Sequence, residues 1–471
     1  MAQMKSKGAQ KRERSADRSR REFLAAMAAG TVAVTIAPRH CVARSGMLPP
    51  SEKIRVAGIG CGGMGGGDIG QVRRLGGEMI ALCDVDDERA AGTFNALPKA
   101  RKYKDFRVMI DKEANHVDAV TVGTPDHIHA VASMAAIRAG KHVYCQKPLT
   151  QTLHECRELT KAAIASGVMT SMGNQGHATE GARLTNEWIR AGVIGDVAEV
   201  HAWSDRAGKL WKQGIMRPTD TPPTPKTLDW NLWLGPRAER PYHPALAPHS
   251  WRGWWDYGTG ALGDMGCHII DHPIWALELG APTFVESRTT LDGSVIKSSK
   301  PGEKEVPNFD SYPIASLIYF DFAARGKMPA VKMTWYDGGL MPPAPAEMKG
   351  QKLPDNGVLY IGTKGKMYHS SHGGMPQLLP GELHDEAKKV PKTMERSPGH
   401  YEEWVLACKG GKRPEASFNY SGPMTETMLL GVLSLRAPGN RLEWDSENLK
   451  VKNMPELSKF IQTEYRKGWS L

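Results

Sequence analysis

The sequence predicts an α/β chain in which a doubly wound parallel sheet comes first. An α+β domain with a large, open-faced, mostly antiparallel sheet is expected to follow it. Three observations predict this order. An apolar, β-branched run at residues 54–59 is followed at once by a glycine-rich turn. Strand and helix patterns then alternate as far as residue 172. Beyond residue 173 the strands show the partial alternation of a sheet with one solvated face.

The glycine-rich turn has the spacing G-x-G-x-x-G between a predicted strand and a predicted helix. These glycines allow a tight turn and a close approach of the backbone to a pyrophosphate, which a helix N-terminus binds. A second apolar run ends at Asp84, 19 positions after Gly65, where a carboxylate can accept hydrogen bonds from a ribose. The pattern predicts a Rossmann dinucleotide site; a loop that only reverses the chain is the alternative. The turn residues are Gly60, Cys61, Gly62, Gly63, Met64 and Gly65.

The kind of dinucleotide follows from the charge around Asp84. Asp86 and Asp87 lie beside it, and three carboxylates repel a 2′-phosphate. We therefore expect NAD as the cofactor, with NADP less favoured.

Two further loops are expected at the same edge of the parallel sheet. Short apolar strands at 117–122 and 142–145 flank an apolar helix at 128–139. Ligands of doubly wound sheets bind beyond the carboxyl ends of the strands. The loops at 124–129 and 145–148 are therefore expected to supply further cofactor contacts, from Thr124, Pro125, His129 and Lys147.

The net charge of +10 is concentrated at the start of the chain. Residues 1–43 hold nine Lys and Arg against three Asp and Glu, so we predict no nucleic-acid partner for the remainder. The pair Arg20-Arg21 precedes an apolar run at 23–37, and the segment resembles a twin-arginine export signal. This run is shorter than the ~20 residues that span a bilayer. We therefore expect cleavage near Ala43 and a periplasmic or exported protein, rather than an uncleaved membrane anchor.

The remaining chain divides into a first domain, a second domain and a tail. We predict a Rossmann NAD-binding domain at 51–172, a substrate and oligomerisation domain at 173–445, and a tail at 446–471. Helices at 400–409 and 425–436 are expected to pack back on the first domain, and the open sheet face is expected to form a homo-oligomer. The predicted strands of that sheet are 197–203, 314–322, 330–336, 358–361 and 366–369.

A proline-rich stretch at 216–248 is too long for a simple connection and predicts an ordered lid or a dimer arm. Nine of the 13 tryptophans fall between residues 188 and 275. An indole can stack on a sugar, but large aromatic side chains that pin an irregular loop explain most of them equally well. Arg252 and Trp255 are candidate substrate contacts, as are Asn174 and His177 in the loop after the sixth strand.

A second glycine-rich stretch at 258–266 leads into Asp264-x-x-x-His268, a spacing that predicts both side chains on one face of a helix. His272 lies one turn further, so Asp264, His268 and His272 could form a metal trio. Pro273 would distort the helix there, and we prefer a buried histidine and no metal. The seven cysteines show no C-x-x-C pair or metal spacing, and Cys61, Cys83, Cys145 and Cys267 are expected to be small buried thiols.

The stretches GIGCGGMG, CDVD and TPDHIHAVASMAAIRAGKHVYCQKPL resemble the N-terminal half of the glucose-fructose oxidoreductase, inositol dehydrogenase and rhizopine-catabolism family (Gfo/Idh/MocA). The resemblance implies that Lys147 lies by the nicotinamide and the substrate, and that Asp264 and His268 face the reacting carbon. The family has Glu-Lys-Pro where this chain has Gln146, Lys147 and Pro148. Gln146 removes a carboxylate beside Lys147 and changes the electrostatics expected for that lysine.

The resemblance implies hydride transfer to and from a carbohydrate. His268 can exchange the hydroxyl proton, Lys147 can polarise the developing alkoxide, and Asp264 can orient the imidazole. Because free NAD is not expected outside the cytoplasmic membrane, an exported enzyme should hold and recycle its cofactor. Two alternatives stay open: an NAD-dependent glycosidase or ketosugar-processing enzyme that oxidises transiently, and a non-catalytic NAD-binding protein. The joint presence of Lys147, Asp264 and His268 argues against the last.

Overall fold

The computed structural model describes residues 53–290, 295–296, 306–308 and 310–471. The predicted export signal at 1–43 lies outside these residues. The described chain contains a six-stranded sheet, a nine-stranded sheet and a separate two-stranded ribbon.

The first sheet is parallel throughout and has the strand order β3-β2-β1-β4-β5-β6. This is the order of a Rossmann fold, and the predicted fold class of the first domain is confirmed. All four residues of β4 are buried, as expected for a central parallel strand covered on both faces. The strands are β1 Arg55–Ile59, β2 Glu78–Cys83, β3 Arg101–Tyr103, β4 Ala119–Val122, β5 His142–Cys145 and β6 Thr170–Met172.

The helices of this domain begin at residues that the local sequence favours. Asp86 and Asp105 accept hydrogen bonds from the first turns of two helices, and Thr152 forms a capping box with Glu155. The helices are α1 Gly63–Arg74, α2 Asp87–Ala96, α3 Phe106–Glu113, α4 Asp126–Arg138 and α5 Leu153–Ser166.

The second sheet has the order β15-β14-β13-β7-β12-β11-β8-β16-β17. Only the β7–β12 pair is parallel within it, so the prediction of a mostly antiparallel sheet is confirmed. Its strands are β7 Val197–Trp203, β8 Phe284–Thr289, β11 Ser316–Phe322, β12 Val331–Tyr336, β13 Gly357–Gly362, β14 Lys366–Ser370, β15 Gln377–Leu379, β16 Arg441–Asp445 and β17 Lys450–Val451; the separate ribbon is β9 Val295–Ile296 and β10 Val306–Pro307.

Two late helices join the second sheet to the first domain. Tyr401 and Trp404 of the helix α11 (His400–Cys408) pack into a core cluster with Ile54 and Ile69. Arg157 of α5 pairs with Glu426 of the helix α12 (Phe418–Ser434) at 2.7 Å. None of the helices in the described part of the chain is long and apolar enough to cross a bilayer. The remaining helices are α6 Glu180–Arg190, α7 Trp230–Leu234, α8 Gly260–Gly266, α9 Asp271–Ala276, α10 Leu383–Ala387, α11 His400–Cys408, α12 Phe418–Ser434 and α13 Ser458–Ile461.

Candidate active site

The glycine-rich turn connects β1 to α1 in the way its spacing predicts. Gly60 has a φ of +79°, and a Cβ there would lie 2.7 Å from the Gly123 carbonyl oxygen. A Cβ on Gly65 would overlap the Gly60 carbonyl oxygen, so α1 can pack this closely only with glycine. No described side chain caps α1, whose first N–H groups are therefore available to an anion.

Asp84 joins this turn to the end of β2. Its carboxylate accepts hydrogen bonds from the N–H of Cys61 at 2.7 Å and the N–H of Asp86 at 2.9 Å. Burial raises the pKa of Asp84, and these N–H groups oppose that rise by stabilising the charged form. Asp84 also lines the cavity in front of the turn, where it can bind a ribose.

A cavity of about 670 Å³ lies beyond the carboxyl ends of the parallel strands. Three of the predicted cofactor residues do not line it: Cys61 and Gly65 are buried within the turn, and His129 bridges two loops. The ring of His129 bonds the carbonyl oxygens of Thr124 at 2.8 Å and Pro148 at 2.7 Å, which holds the loops after β4 and β5 together. The predicted cofactor residues that do line the cavity are Gly60, Gly62, Gly63, Met64, Asp84, Thr124, Pro125 and Lys147.

The proline-rich stretch covers the opposite side of this cavity. Its Thr227 carbonyl accepts a hydrogen bond from the N–H of Asp87 at 3.1 Å, and the backbone N–H of Asp229 donates to the carbonyl of Val85 at 2.9 Å. The stretch was predicted to be either an ordered lid or a dimer arm, and this arrangement is that of a lid over the site. Within this stretch, Trp233 packs in one core cluster with Trp251, Trp254 and Tyr257, which follow it in the chain.

Lys147 and Asp264 form a buried ion pair at the end of the cavity away from Asp84. The Lys147 ammonium donates to the Asp264 carbonyl at 2.7 Å and to its carboxylate at 2.8 Å. Arg252 Nε donates to the same carboxylate oxygen at 3.0 Å. Burial alone would raise the pKa of Asp264, but the charges of Lys147 and Arg252 lower it below its usual range. Asp264 is therefore a permanent anion between two cations.

The position of Asp264 is fixed by a contact between the two domains. Helix α8 starts after Thr259, whose hydroxyl donates to the buried carboxylate of Asp126 at 2.7 Å. Asp126 is the first residue of α4, which follows the strand next to that of Lys147. The link holds α8 against the edge of the sheet where the cofactor cavity opens.

His268 lies in the turn after α8, so the prediction that one helix carries both Asp264 and His268 is wrong. The helix ends at Gly266, and α9 begins at Asp271. Pro273 cannot donate the hydrogen bond that would continue one helix through this turn. Burial lowers the pKa of His268 well below its usual range, and the nearby charge of Lys147 lowers it further. The imidazole is thus neutral, the form that a proton acceptor must have before the transfer.

His372 packs face to face on His268, a partner that the sequence did not indicate. The two ring centroids are 3.9 Å apart, and the His372 N–H donates to the His268 carbonyl at 2.9 Å. His372 has a φ of +60°, a conformation that non-glycine residues rarely adopt outside constrained sites. Burial, followed by the charge of Lys147, lowers the pKa of His372 to about 4. Two neutral imidazoles therefore lie side by side near the lysine.

The predicted substrate residues divide into those near the site and those elsewhere. Arg252 lines the cavity. Asn174 is 1% exposed, and neither of its amide atoms has a hydrogen-bond partner in the described chain. His177 instead bonds the Asp271 carboxylate at 3.0 Å and stacks on Trp275. Trp255 lies outside the cofactor cavity, with its ring 3.8 Å from that of Tyr312.

The alternative metal trio is not assembled. The Asp264 carboxylate is occupied by Lys147 and Arg252, and His272 packs edge-on to His369 at 5.0 Å. Within the described ranges, no group of three His, Cys, Asp or Glu side chains is placed to hold a metal.

The glycine turn, Asp84, Lys147 and Arg252 line one cavity, whereas Asp264 and His268 are not among its lining residues. A dinucleotide turn and a charged lysine on one cavity are the layout of an NAD-dependent oxidoreductase. Residues 54–174 match the NAD-binding Rossmann domain of the Gfo/Idh/MocA oxidoreductase family, and residues 182–286 match its C-terminal alpha/beta domain. These matches confirm the resemblance over residues 54–174 and 182–286. They also confirm NAD as the cofactor.

Individual relatives are similar over shorter stretches. The chain is 37% identical to 1,5-anhydro-D-fructose reductase of Ensifer adhaerens over 131 residues, 27% of this chain and 38% of the relative. It is 34% identical to inositol 2-dehydrogenase of Pseudomonas savastanoi pv. phaseolicola over 171 residues, 34% of this chain and 50% of the relative. The chain thus spans half or less of the length of these curated relatives.

A solved structure supports the fold over most of the chain. The WlbA dehydrogenase from Bordetella pertussis, in complex with NADH and UDP-GlcNAcA, has a TM-score of 0.54 and 17% identity. The match covers 83% of this chain and 99% of that one. At this identity the similarity concerns the fold alone.

Proposed function

We propose that the protein is an NAD-dependent oxidoreductase that acts on a sugar or sugar derivative by hydride transfer. One observation carries this proposal: Lys147 and Asp264 form their ion pair at the cavity that also holds Gly60 and Asp84. A protein that only bound NAD would have no need of a largely buried lysine that lines this cavity and is paired with a carboxylate. The relatives named above that act on anhydrofructose and inositol support a polyhydroxylated substrate.

The residues fit the roles that hydride transfer requires. When bound, NAD supplies the hydride acceptor and donor. Neutral His268 takes the proton of the substrate hydroxyl, and Lys147 donates a hydrogen bond to the oxygen that gains negative charge. Asp264 holds the lysine in place, Arg252 holds the Asp264 carboxylate, and the stacked ring of His372 restricts rotation of His268.

A redox assay with bound cofactor tests this function. Purified protein is mixed with each member of a panel of sugars, polyols and glycosides, and the absorbance of reduced nicotinamide is followed. The masses of the products are then measured by mass spectrometry. We expect reduction of NAD with at least one sugar and a product lighter by two hydrogens. Bond cleavage without net redox change would instead indicate the glycosidase alternative. No absorbance change with any compound, although NAD is bound, would contradict the proposal.

We further propose that the protein is exported and holds its cofactor through repeated turnovers. The support is the twin-arginine-like segment at 1–43 together with the lid over the cavity. Nucleotide released by acid from dialysed, mature protein should approach one NAD per chain. An NAD-free mature protein that is active only with added cofactor would contradict retention.

The solvent-facing side of the nine-stranded sheet, where Tyr319 is 39% exposed, is the surface we propose for a homo-oligomer.

A further inference from the structure

The segment 464–471, which we call the strap, lies across the outside of the cofactor cleft. It belongs to the region that the sequence predicted as a tail. The hydroxyl of Tyr465 donates to the carboxylate of Glu155 at 2.7 Å, and the N–H of Arg466 donates to the Pro236 carbonyl at 3.1 Å. The strap is therefore attached both to the first domain and to the lid.

Arg466 is the main anchor of the strap. Its guanidinium donates to the Gly235 carbonyl and to the side-chain and main-chain oxygens of Asn231, all at 2.5 Å. The side chain is only 14% exposed. Three charge-assisted hydrogen bonds from one buried guanidinium hold this part of the strap in a single position.

Beyond this anchor, Trp469 enters the cofactor cavity. Its ring lies 6.0 Å from the ring of Phe106, and the guanidinium of Arg107 lies 4.1 Å from its centroid. Arg107 also donates to the carbonyl of Gly468 at 2.9 Å. Trp469 and Phe106 line the same cavity as Gly60 and Asp84.

The position of Trp469 identifies the half of the dinucleotide that it faces. Asp84 at the end of β2 marks the adenosine ribose, and Phe106 follows β3, the outer strand on that side. Lys147 follows β5 on the other side of β1. Trp469 thus lies toward the adenosine half of the cavity and away from the reaction pocket.

We propose that Trp469 is a further cofactor-binding residue, and that the strap closes the adenosine half of the cleft and slows dissociation of NAD. This inference rests on the proposed function, because it assumes that NAD occupies the cavity. An indole beside a purine supplies a large apolar contact, and Arg466 and Arg107 keep the indole in place. By slowing dissociation, the strap would explain how the protein retains NAD through repeated turnovers.

The test measures NADH dissociation rather than turnover. NADH is bound to wild type, Trp469→Ala, Trp469→Phe and Trp188→Ala, and its fluorescence loss is followed after rapid mixing with excess NAD. Trp188 is a half-buried tryptophan of α6 that does not line the cavity, so its variant controls for general loss of an indole. We expect Trp469→Ala to release NADH about 10- to 100-fold faster, Trp469→Phe to release it at an intermediate rate, and Trp188→Ala to match wild type.

The outcomes separate this inference from the proposed function. Unchanged release from Trp469→Ala, or equal acceleration in Trp469→Ala and Trp188→Ala, would overturn the role of the strap while leaving the oxidoreductase proposal intact. Failure of wild type to bind NADH would overturn both. If Trp469→Ala releases NADH faster but no sugar of the panel reduces the NAD bound to wild type, the role of the strap is supported and the sugar oxidoreductase is contradicted. A chain that stops after Gln462 should release NADH at least as fast as Trp469→Ala.

Discussion

The side-chain amide of Gln146 donates to both carboxylate oxygens of Asp68, at 3.0 Å each. The hydroxyl of Tyr401 donates to the same carboxylate at 2.7 Å. Burial raises the pKa of Asp68 to about 7, although both hydrogen bonds favour its charged form. The chain therefore places the carboxylate of Asp68, on α1, against Gln146, the cavity-lining residue that departs from the Glu-Lys-Pro motif.

This pairing predicts that a carboxylate at position 146 is tolerated only if the one at 68 is removed. Gln146→Glu sets two buried carboxylates against each other, so we expect weaker NADH binding by about tenfold, or about 1.4 kcal/mol. In Asp68→Asn with Gln146→Glu, the new amide can donate to the new carboxylate, and NADH affinity should return toward the wild-type value. Fluorescence titration with NADH measures all three proteins. A double variant that binds more weakly than Gln146→Glu would contradict the pairing.

The local motifs of the site could be predicted from the sequence, but contacts between distant segments could not. Gly60, Asp84 and Lys147 follow buried strands directly, so strand order and the Rossmann rule fix where they lie. Asp68 and Trp469 have no such local signal, because their roles depend on partners that only the folded chain brings near. The turn that separates Asp264 from His268 could not be predicted, because the four-residue spacing fits one helix and does not show that the helix ends at Gly266.

Removal of the Lys147 ammonium should separate chemistry from cofactor binding. Lys147→Ala deletes the donor to the substrate oxygen and one of the two cations beside Asp264, so the rate of hydride transfer should fall about 100-fold or more. NADH should still bind, since the glycine turn and Asp84 are untouched. Single-turnover absorbance after addition of the sugar measures the rate. Lys161→Ala, at a side chain that is 64% exposed, is the matched control and should behave as wild type.

Buried neutral histidines should make the fold sensitive to acid. Burial lowers the pKa of His369 to about 3 from 6.5, and the neutral ring bonds both the Ser370 carbonyl and the Tyr360 hydroxyl. Between about pH 6.5 and 3 the unfolded chain binds a proton at His369 that the folded chain does not. The free energy of unfolding should therefore fall by up to about 1.4 kcal/mol per pH unit from this group as the pH drops.

Comparison of variants isolates this effect from opposing groups such as Asp68, whose raised pKa favours the fold at low pH. Urea unfolding of wild type, His369→Gln and His116→Gln at pH 6.5, 5.5 and 4.5 gives, for each protein, the slope of the unfolding free energy against pH. We expect a shallower pH dependence in His369→Gln only, because the His116 side chain is 60% exposed. Parallel slopes for all three proteins would show that His369 titrates alike in both states.

Two glycines of α1 should respond oppositely to the same substitution. A Cβ on Gly65 would overlap the Gly60 carbonyl oxygen and lie 3.2 Å from that of Gly123, whereas a Cβ on Gly67 would meet nothing within 4 Å. Gly65→Ala must push the helix off the turn, so we expect a loss of about 1–3 kcal/mol in unfolding free energy and much weaker NADH binding. Gly67→Ala keeps that contact and replaces glycine with a better helix former, so stability should stay level or rise by up to about 1 kcal/mol. Urea unfolding and NADH titration check both variants. Equal effects at the two positions would mean that close packing of α1 on the turn does not determine cofactor binding.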